Sequence, residues 1–163
     1  MSDLSVELYG EQIGTLSGTR DRFDFTADHS AMNRWGIASP ILSFAVPLLT
    51  SPPPREVPRR RNFVEELLPE SAARALLAGR ERIDTDNTMA LLRRFGLDTA
   101  GALQVLDDDD RRSQHPSAEP ASGARIRDLL QSAPVTPLGN VSRRRLSSLA
   151  GVQPKILLAL VDG

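Results

Sequence analysis

Leu4, Val6 and Leu8 alternate with Ser5, Glu7 and Tyr9; Gly10-Glu-Gln turns the chain into Ile13 and Thr15-Leu16; and Arg22 to Ala27 alternates again, with Phe23 and Phe25 on one side. A period of two sends successive side chains to opposite faces of an extended strand, so each run has one apolar and one wet face. Gly18-Thr-Arg-Asp breaks the second run from the third. The reading is a meander of three short antiparallel strands. A ribbon of this size is marginal in water and its apolar face needs a cover. The fold class expected is therefore α+β, a small antiparallel sheet packed with short helices.

The covering helices are sought downstream. Asn62 reads as an N-cap with Glu65 as its capping-box partner, and Phe63, Val64, Leu67 and Leu68 as an apolar stripe. Pro69 ends that helix or starts the next, which runs from Ser71 to Gly79 with Ala72, Ala75 and Leu76 inward and Gly79 as its stop. Asp84 or Asp86 caps a third, in which Met89, Leu91, Leu92 and Phe95 point inward and Gly96 closes it. Asp98 to Leu106 is a turn entering a strand. Core packing accounts for every apolar residue in these helices.

Between sheet and helices, Trp35 to Pro58 reads as irregular. Ser39-Pro40 and Val46-Pro47 bracket Ile41 to Val46 as a short strand, and Ser51 to Arg61 reads as an exposed, extended connector stiffened by Pro52-Pro-Pro54. Arg59-Arg-Arg61 is then a solvated flank of a helix, with a nucleic-acid contact as the competing account. His29 has no His, Asp or Glu at metal spacing and reads as a surface residue.

Bulk properties exclude several classes. A chain of 163 residues, 40% hydrophobic and 25% charged, holds one globular domain and a smaller attached piece. Its net charge of −1 supplies no global field for nucleic acid or membrane. It has no cysteine, which excludes disulfides and thiolate metal sites and fits a reducing compartment. No basic-then-apolar leader opens it, and no run approaches the roughly 20 apolar residues that span a bilayer. The bacterial cytoplasm is the expected location. Asp107 to Asp110 is a solvated acidic loop beside Arg111-Arg112, since four consecutive carboxylates converge poorly on one ion. Ser113 to Gly123 reads as a linker, and Ala124 to Ala133 as a short amphipathic helix carrying Ile126, Leu129 and Leu130.

The last stretch, Arg143-Arg-Arg-Leu-Ser-Ser-Leu-Ala-Gly-Val-Gln-Pro-Lys155, runs into the apolar Ile156 to Val161. Gly151 permits backbone geometries that a Cβ blocks, and Ser147, Ser148 and Ala150 are small enough for amides to approach an anion. The Rossmann and Walker fingerprints do not fit, because both open a helix and Pro154 here precedes a strand-like run. A small-residue loop leading into a strand is the order in which protein kinases cover the phosphates of ATP. Asp162-Gly163 is a hairpin signal, so a returning strand is expected in a longer protein.

Ser148-Leu-Ala-Gly-Val-Gln-Pro-Lys155, followed by Leu157 and Leu158, resembles the phosphate loop of HipA-type serine/threonine kinases, the toxins of bacterial toxin–antitoxin pairs. Asn62-Phe-Val-Glu-Glu-Leu-Leu-Pro-Glu70 is similar to the family's F-x-x-x-L-L-P-[DE] helix, and Leu91-Leu-Arg-Arg-Phe-Gly-Leu-Asp-Thr-Ala-Gly-Ala102 to its L-L-x-x-x-G-x-D-[ST]-x-G-A segment. The resemblance covers about the first third of a family member. It implies a HipA-like N-terminal subdomain over residues 1–106, a flexible linker over 107–123, and over 124–163 the first strands of a kinase-like ATP lobe.

By the same resemblance, Ala150, Gly151, Val152, Gln153, Pro154 and Lys155 are expected at the phosphates of ATP, with Ala100 at the edge of the nucleotide site. Ser148 is the expected autophosphorylation site, with Ser147 as the alternative next to Arg143-Arg-Arg145. The aspartate base and the Mg²⁺ ligands are expected beyond Gly163, so the chain alone should be inactive, with ATP and Mg²⁺ bound by the complete kinase. The implied partners are the C-terminal catalytic part, a helix-turn-helix antitoxin and through it operator DNA, and a protein substrate of the aminoacyl-tRNA synthetase kind, with no membrane. The alternative is a regulatory or antitoxin-like subunit pairing with a separately encoded kinase chain.

Overall fold

A computed structural model describes residues 3–99, 102–107, 120–133 and 158. Strands β1 (Leu4–Leu8), β2 (Glu11–Thr19) and β3 (Arg22–Ala27) come first, then helix α1 (His29–Trp35) and, after a single 3-10 turn at Pro54–Glu56, helices α2 (Val57–Glu65), α3 (Ser71–Glu81) and α4 (Thr88–Phe95). Strand β4 (Leu103–Leu106) follows, and helix α5 (Gly123–Ser132) is the last described element. The architecture is α+β, as the alternation of the first 27 residues requires.

The strands form one antiparallel sheet in the order β3-β2-β1-β4. Tyr9 and Gly10 join β1 to β2 with φ of 53° and 77°, the pair of positive values a two-residue primed hairpin needs. Pairing Leu4 with Leu16 and Leu16 with Phe25 lines up one apolar row, and pairing Val6 with Val105 carries the apolar face onto β4. A bulge between Val6 and Glu7 lets both Ile13 and Gly14 turn inward. Gly14 is small for a reason: a Cβ there would lie 2.6 Å from the Phe25 ring and 2.3 Å from the Thr26 carbonyl. The helices close the apolar face with Val64, Leu68, Leu77, Met89, Leu91, Leu92 and Phe95, all buried with the strand residues in one core. The opposite sheet face carries Ser5, Glu7, Thr15, Thr26 and Gln104.

Several local expectations give way to the tertiary structure. Residues 29–35, unassigned in sequence, form α1, which buries Ala31. Ile41 to Val46 is not a strand but a tight turn with one isolated bridge, Ser43 to Val46. Ser51 to Arg61 is not an extended connector: α2 starts at Val57 with a proline in its first turn, so Asn62 lies inside the helix rather than capping it. The stop of α3 is Arg82 in the left-handed conformation (φ 56°), and Gly79 is interior. Its inward face is Leu77 and Ala78, whereas Ala72 and Ala75 are exposed. Asn87, not Asp84 or Asp86, caps α4 by accepting from the Ala90 amide at 3.2 Å. The four inward residues expected for α4 are all buried.

Candidate functional site

The Arg59-Arg-Arg61 run, expected in water, is where α2 grips the sheet. Arg60 is 1% exposed, and its Nε and Nη2 donate to Asp24 Oδ1 and Oδ2 at 2.6 and 2.7 Å. Nη2 also reaches the Pro53 carbonyl at 3.2 Å, while Nη1 is buried without a hydrogen-bond partner. Asp24 Oδ1 also accepts from the amide of Phe25 at 2.9 Å, and Arg61 Nε donates to the Phe23 carbonyl at 2.7 Å. The Ala27 amide donates to the Leu49 carbonyl at 2.9 Å. These groups occupy the outer edge of β3, where a bare strand would offer pairing to another chain. Arg60 and Arg61 are thus structural, and the nucleic-acid reading survives only for Arg59, which is exposed.

A second set of charges fixes the β2–β3 turn against the start of α4. Arg20 bonds both carboxylate oxygens of Asp86, at 2.9 and 3.0 Å, and Asp84 at 3.2 Å. The bonds to Asp86, then to Asp84, hold the Arg20 guanidinium above its ordinary basicity. The Arg20 carbonyl accepts from the Met89 amide at 3.1 Å. Arg74 reaches across from α3 to the Thr85 carbonyl and the Thr88 hydroxyl, at 2.8 and 3.0 Å.

The corner between α4 and β4 leads to the segment in which a nucleotide contact is expected. A Cβ on Gly96 would lie 2.5 Å from the Leu92 and Val105 carbonyls, so only glycine lets the helix end sit this close to β4. Its carbonyl accepts from the Val105 amide at 2.7 Å. Thr99, 4% exposed, donates its hydroxyl to the Leu103 carbonyl, and Gln104 Nε2 bonds the Leu97 carbonyl at 2.9 Å. The Ala102 carbonyl accepts from the Tyr9 amide at 3.1 Å. Residues 99 and 102 are thereby fixed on either side of Ala100, which itself lies outside the described residues, as do Ser147, Ser148 and Ala150 to Lys155. Asp107, the first of the acidic run, pairs with Arg93 at 3.2 Å. Among the described residues no group of three or more His, Cys, Asp or Glu is placed to hold a metal, and no helix is long and apolar enough to cross a membrane.

Residues 36–48 make a loop that sequence reasoning read only as irregular. Val46 and Leu48 are 1% and 0% exposed and anchor it, while Ile37 and Phe44 are 78% and 87% exposed. The absence of any charged residue from Gly36 to Pro54 is the signal that could have singled it out.

A four-stranded antiparallel sheet whose apolar face is closed by helices, with its β3 edge locked by arginines and a glycine corner into β4, defines a small α+β domain. The chain belongs to the family described as the HipA N-terminal domain, whose model matches residues 4–106. It is similar to a Sinorhizobium fredii protein named "Putative kinase Y4mE", with 38% identity over 129 residues, 72% of this chain and 30% of that one. The structure resembles HipA of the Shewanella oneidensis MR-1 toxin–antitoxin system, solved with HipB and operator DNA, with a TM-score of 0.59 and 25% identity over 93% of this chain and 34% of that one. The chain therefore spans about a third of the length of these two proteins.

Proposed function

We propose that this chain is the N-terminal portion of a HipA-like serine/threonine-protein kinase of a toxin–antitoxin system. The observation that carries the reading is the family match over residues 4–106, which covers both motifs read from sequence, Asn62 to Glu70 and Leu91 to Ala102. The name of the S. fredii protein supports the kinase class, and the HipA–HipB–operator complex supports an antitoxin and DNA as partners.

In this reading residues 1–106 are the N-terminal subdomain, 107–123 a linker and 124–163 the start of the ATP lobe. Ala150 to Lys155 form the phosphate loop, in which Lys155 contacts phosphate oxygens and the amides around Gly151 face the anion. Ala100 borders the nucleotide. Phosphate on Ser148, or on Ser147, adds nearly two negative charges to a loop built for phosphate and drives it out by repulsion, with Arg143 to Arg145 as the receiving cations. ATP and Mg²⁺ supply the transferable phosphoryl group and its charge neutralisation. The remaining partners are the catalytic part of the kinase and a protein substrate, a tRNA synthetase being the first to try; the cytoplasm is the proposed location.

The test is phosphotransfer from labelled ATP by the full-length protein. Lys155→Ala should abolish it, and the wild-type label should map by mass spectrometry to Ser148. Full activity in Lys155→Ala, or no ATP-dependent labelling by the wild type in the presence of Mg²⁺, overturns the reading.

A further inference from the structure

Three of the large apolar side chains left in water among the described residues, Ile37, Ile41 and Phe44, lie on the loop of residues 36–48, at 78%, 42% and 87% exposure. The loop does not wave. Its base is closed by Ala38 N donating to Leu48 O at 2.9 Å and Leu48 N to Ser39 O at 3.0 Å, and its tip by Val46 N to Ser43 O at 3.0 Å. Ser43 Oγ also accepts from the Ala45 amide at 3.1 Å. Phe44 thus rides at the tip of a turn whose shape is set beforehand, with the buried Val46 and Leu48 fastening it to the core. An aromatic group held in advance loses little entropy when it docks, which is the property of an interface anchor.

We infer that the Ile37–Ile41–Phe44 loop is the surface on which the remaining two-thirds of the full-length polypeptide packs. The proposal rests on the reading of this chain as part of a longer kinase. Three observations select this occupant. The relatives are about three times as long as the stretch matched here, 30% and 34% of each being covered. Strand addition to β3 meets the Arg61, Asp24 and Leu49 contacts along that edge, and to β4 the Gly96 and Thr99 contacts. The loop carries no charge from Gly36 to Pro54, which disfavours a phosphodiester backbone and matches the charge-depleted, apolar core of a permanent interface rather than a transient one.

The experiment is hydroxyl-radical footprinting of the full-length protein, native against urea-unfolded, read by mass spectrometry at Phe44. The inference expects native oxidation to fall severalfold below the unfolded rate at every protein concentration and without added partner. It further expects Phe44→Ser with Ile41→Ser to speed proteolysis of the linker at 107–123 severalfold, with circular dichroism unchanged. Phe44 oxidised at the unfolded rate in the native full-length protein overturns it. Protection that arises only on adding an antitoxin, or only as concentration rises, also overturns it, by assigning the loop to a separate partner or to a second copy. An inactive kinase that still protects Phe44 sinks the catalytic reading alone, and an active one with Phe44 open sinks this inference alone.

Discussion

Arg60, inside α2, and Asp24, on β3, meet through two parallel hydrogen bonds of 2.6 and 2.7 Å, with the guanidinium 1% exposed and the carboxylate a third exposed. A planar fork on a carboxylate fixes orientation as well as distance, so this one pair sets where α2 lies along the sheet. Asp24→Ala leaves the cation buried and unpaired. It should destabilise the chain by about 3 kcal/mol, the low end for breaking a buried pair because Asp24 keeps some contact with water. Urea unfolding followed by circular dichroism measures it. Asp24→Ala with Arg60→Met should recover at least half of the loss; a single-variant loss under about 1 kcal/mol would mean the clamp is idle.

Two phenylalanines should behave oppositely. Phe95 is 2% exposed in the core and Phe44 is 87% exposed on its loop. Phe95→Ala should cost about 3–5 kcal/mol, whereas Phe44→Ala should leave the stability of this chain within about 0.5 kcal/mol. Equal thermal shifts for the two variants would contradict the assignment of inside and outside.

Gly96→Ala tests the corner between α4 and β4. The added methyl would stand 2.5 Å from two backbone carbonyls, neither of which can swing away as a side chain end could. The expected loss is about 1–3 kcal/mol, concentrated at β4, so amide exchange at Val105 should quicken more than at Leu16. Uniform quickening across the sheet would argue against a local clash.

The start of α4 gives a cleaner contrast. Asn87→Ala removes the oxygen that accepts from the Ala90 amide and should cost about 1 kcal/mol, while Asn87→Asp or Asn87→Ser should retain most of it. Asp84→Asn should leave helix content unchanged, since that carboxylate serves Arg20 and not the helix. Loss of helical signal in Asp84→Asn would restore the cap expected from sequence.

Why some of this was legible and some was not follows from the range of the forces involved. The strands of residues 4–27 and the inward face of α4 could be read because apolar periodicity is a local signal that burial then confirms at Leu4, Val6, Leu8, Leu91, Leu92 and Phe95. The β4 strand was legible for the same reason. Caps were misplaced because Asn62, Asp84 and Asp86 are all acceptable capping types, and the choice among them is made by tertiary contacts, Arg20 holding both aspartates. Arg60 was misread because a triple arginine is ordinarily solvated, and its partner lies 36 residues away on a strand. The α1 helix lacks an apolar stripe long enough to register; Ala31 is its one buried residue. Of the candidate site, Thr99 and Ala102 mark where the segment around Ala100 is fastened, while the loop from Ser147 to Lys155 falls outside the described residues.

The pairing of β1 with β4 joins Ser5 to Leu106, strands about a hundred residues apart in the chain. During synthesis the first three strands emerge early, yet the β1 edge stays open until nearly all of this domain has left the ribosome, because loop closure over that distance must precede the contacts that reward it. The nascent protein therefore leaves the β4-facing backbone of Ser5, Glu7 and Tyr9 open throughout the making of four helices. Chains stalled before Leu103 should be bound by chaperones and aggregate, and chains released past Leu106 should not, so the last short strand acts as the latch that ends the domain's vulnerable period.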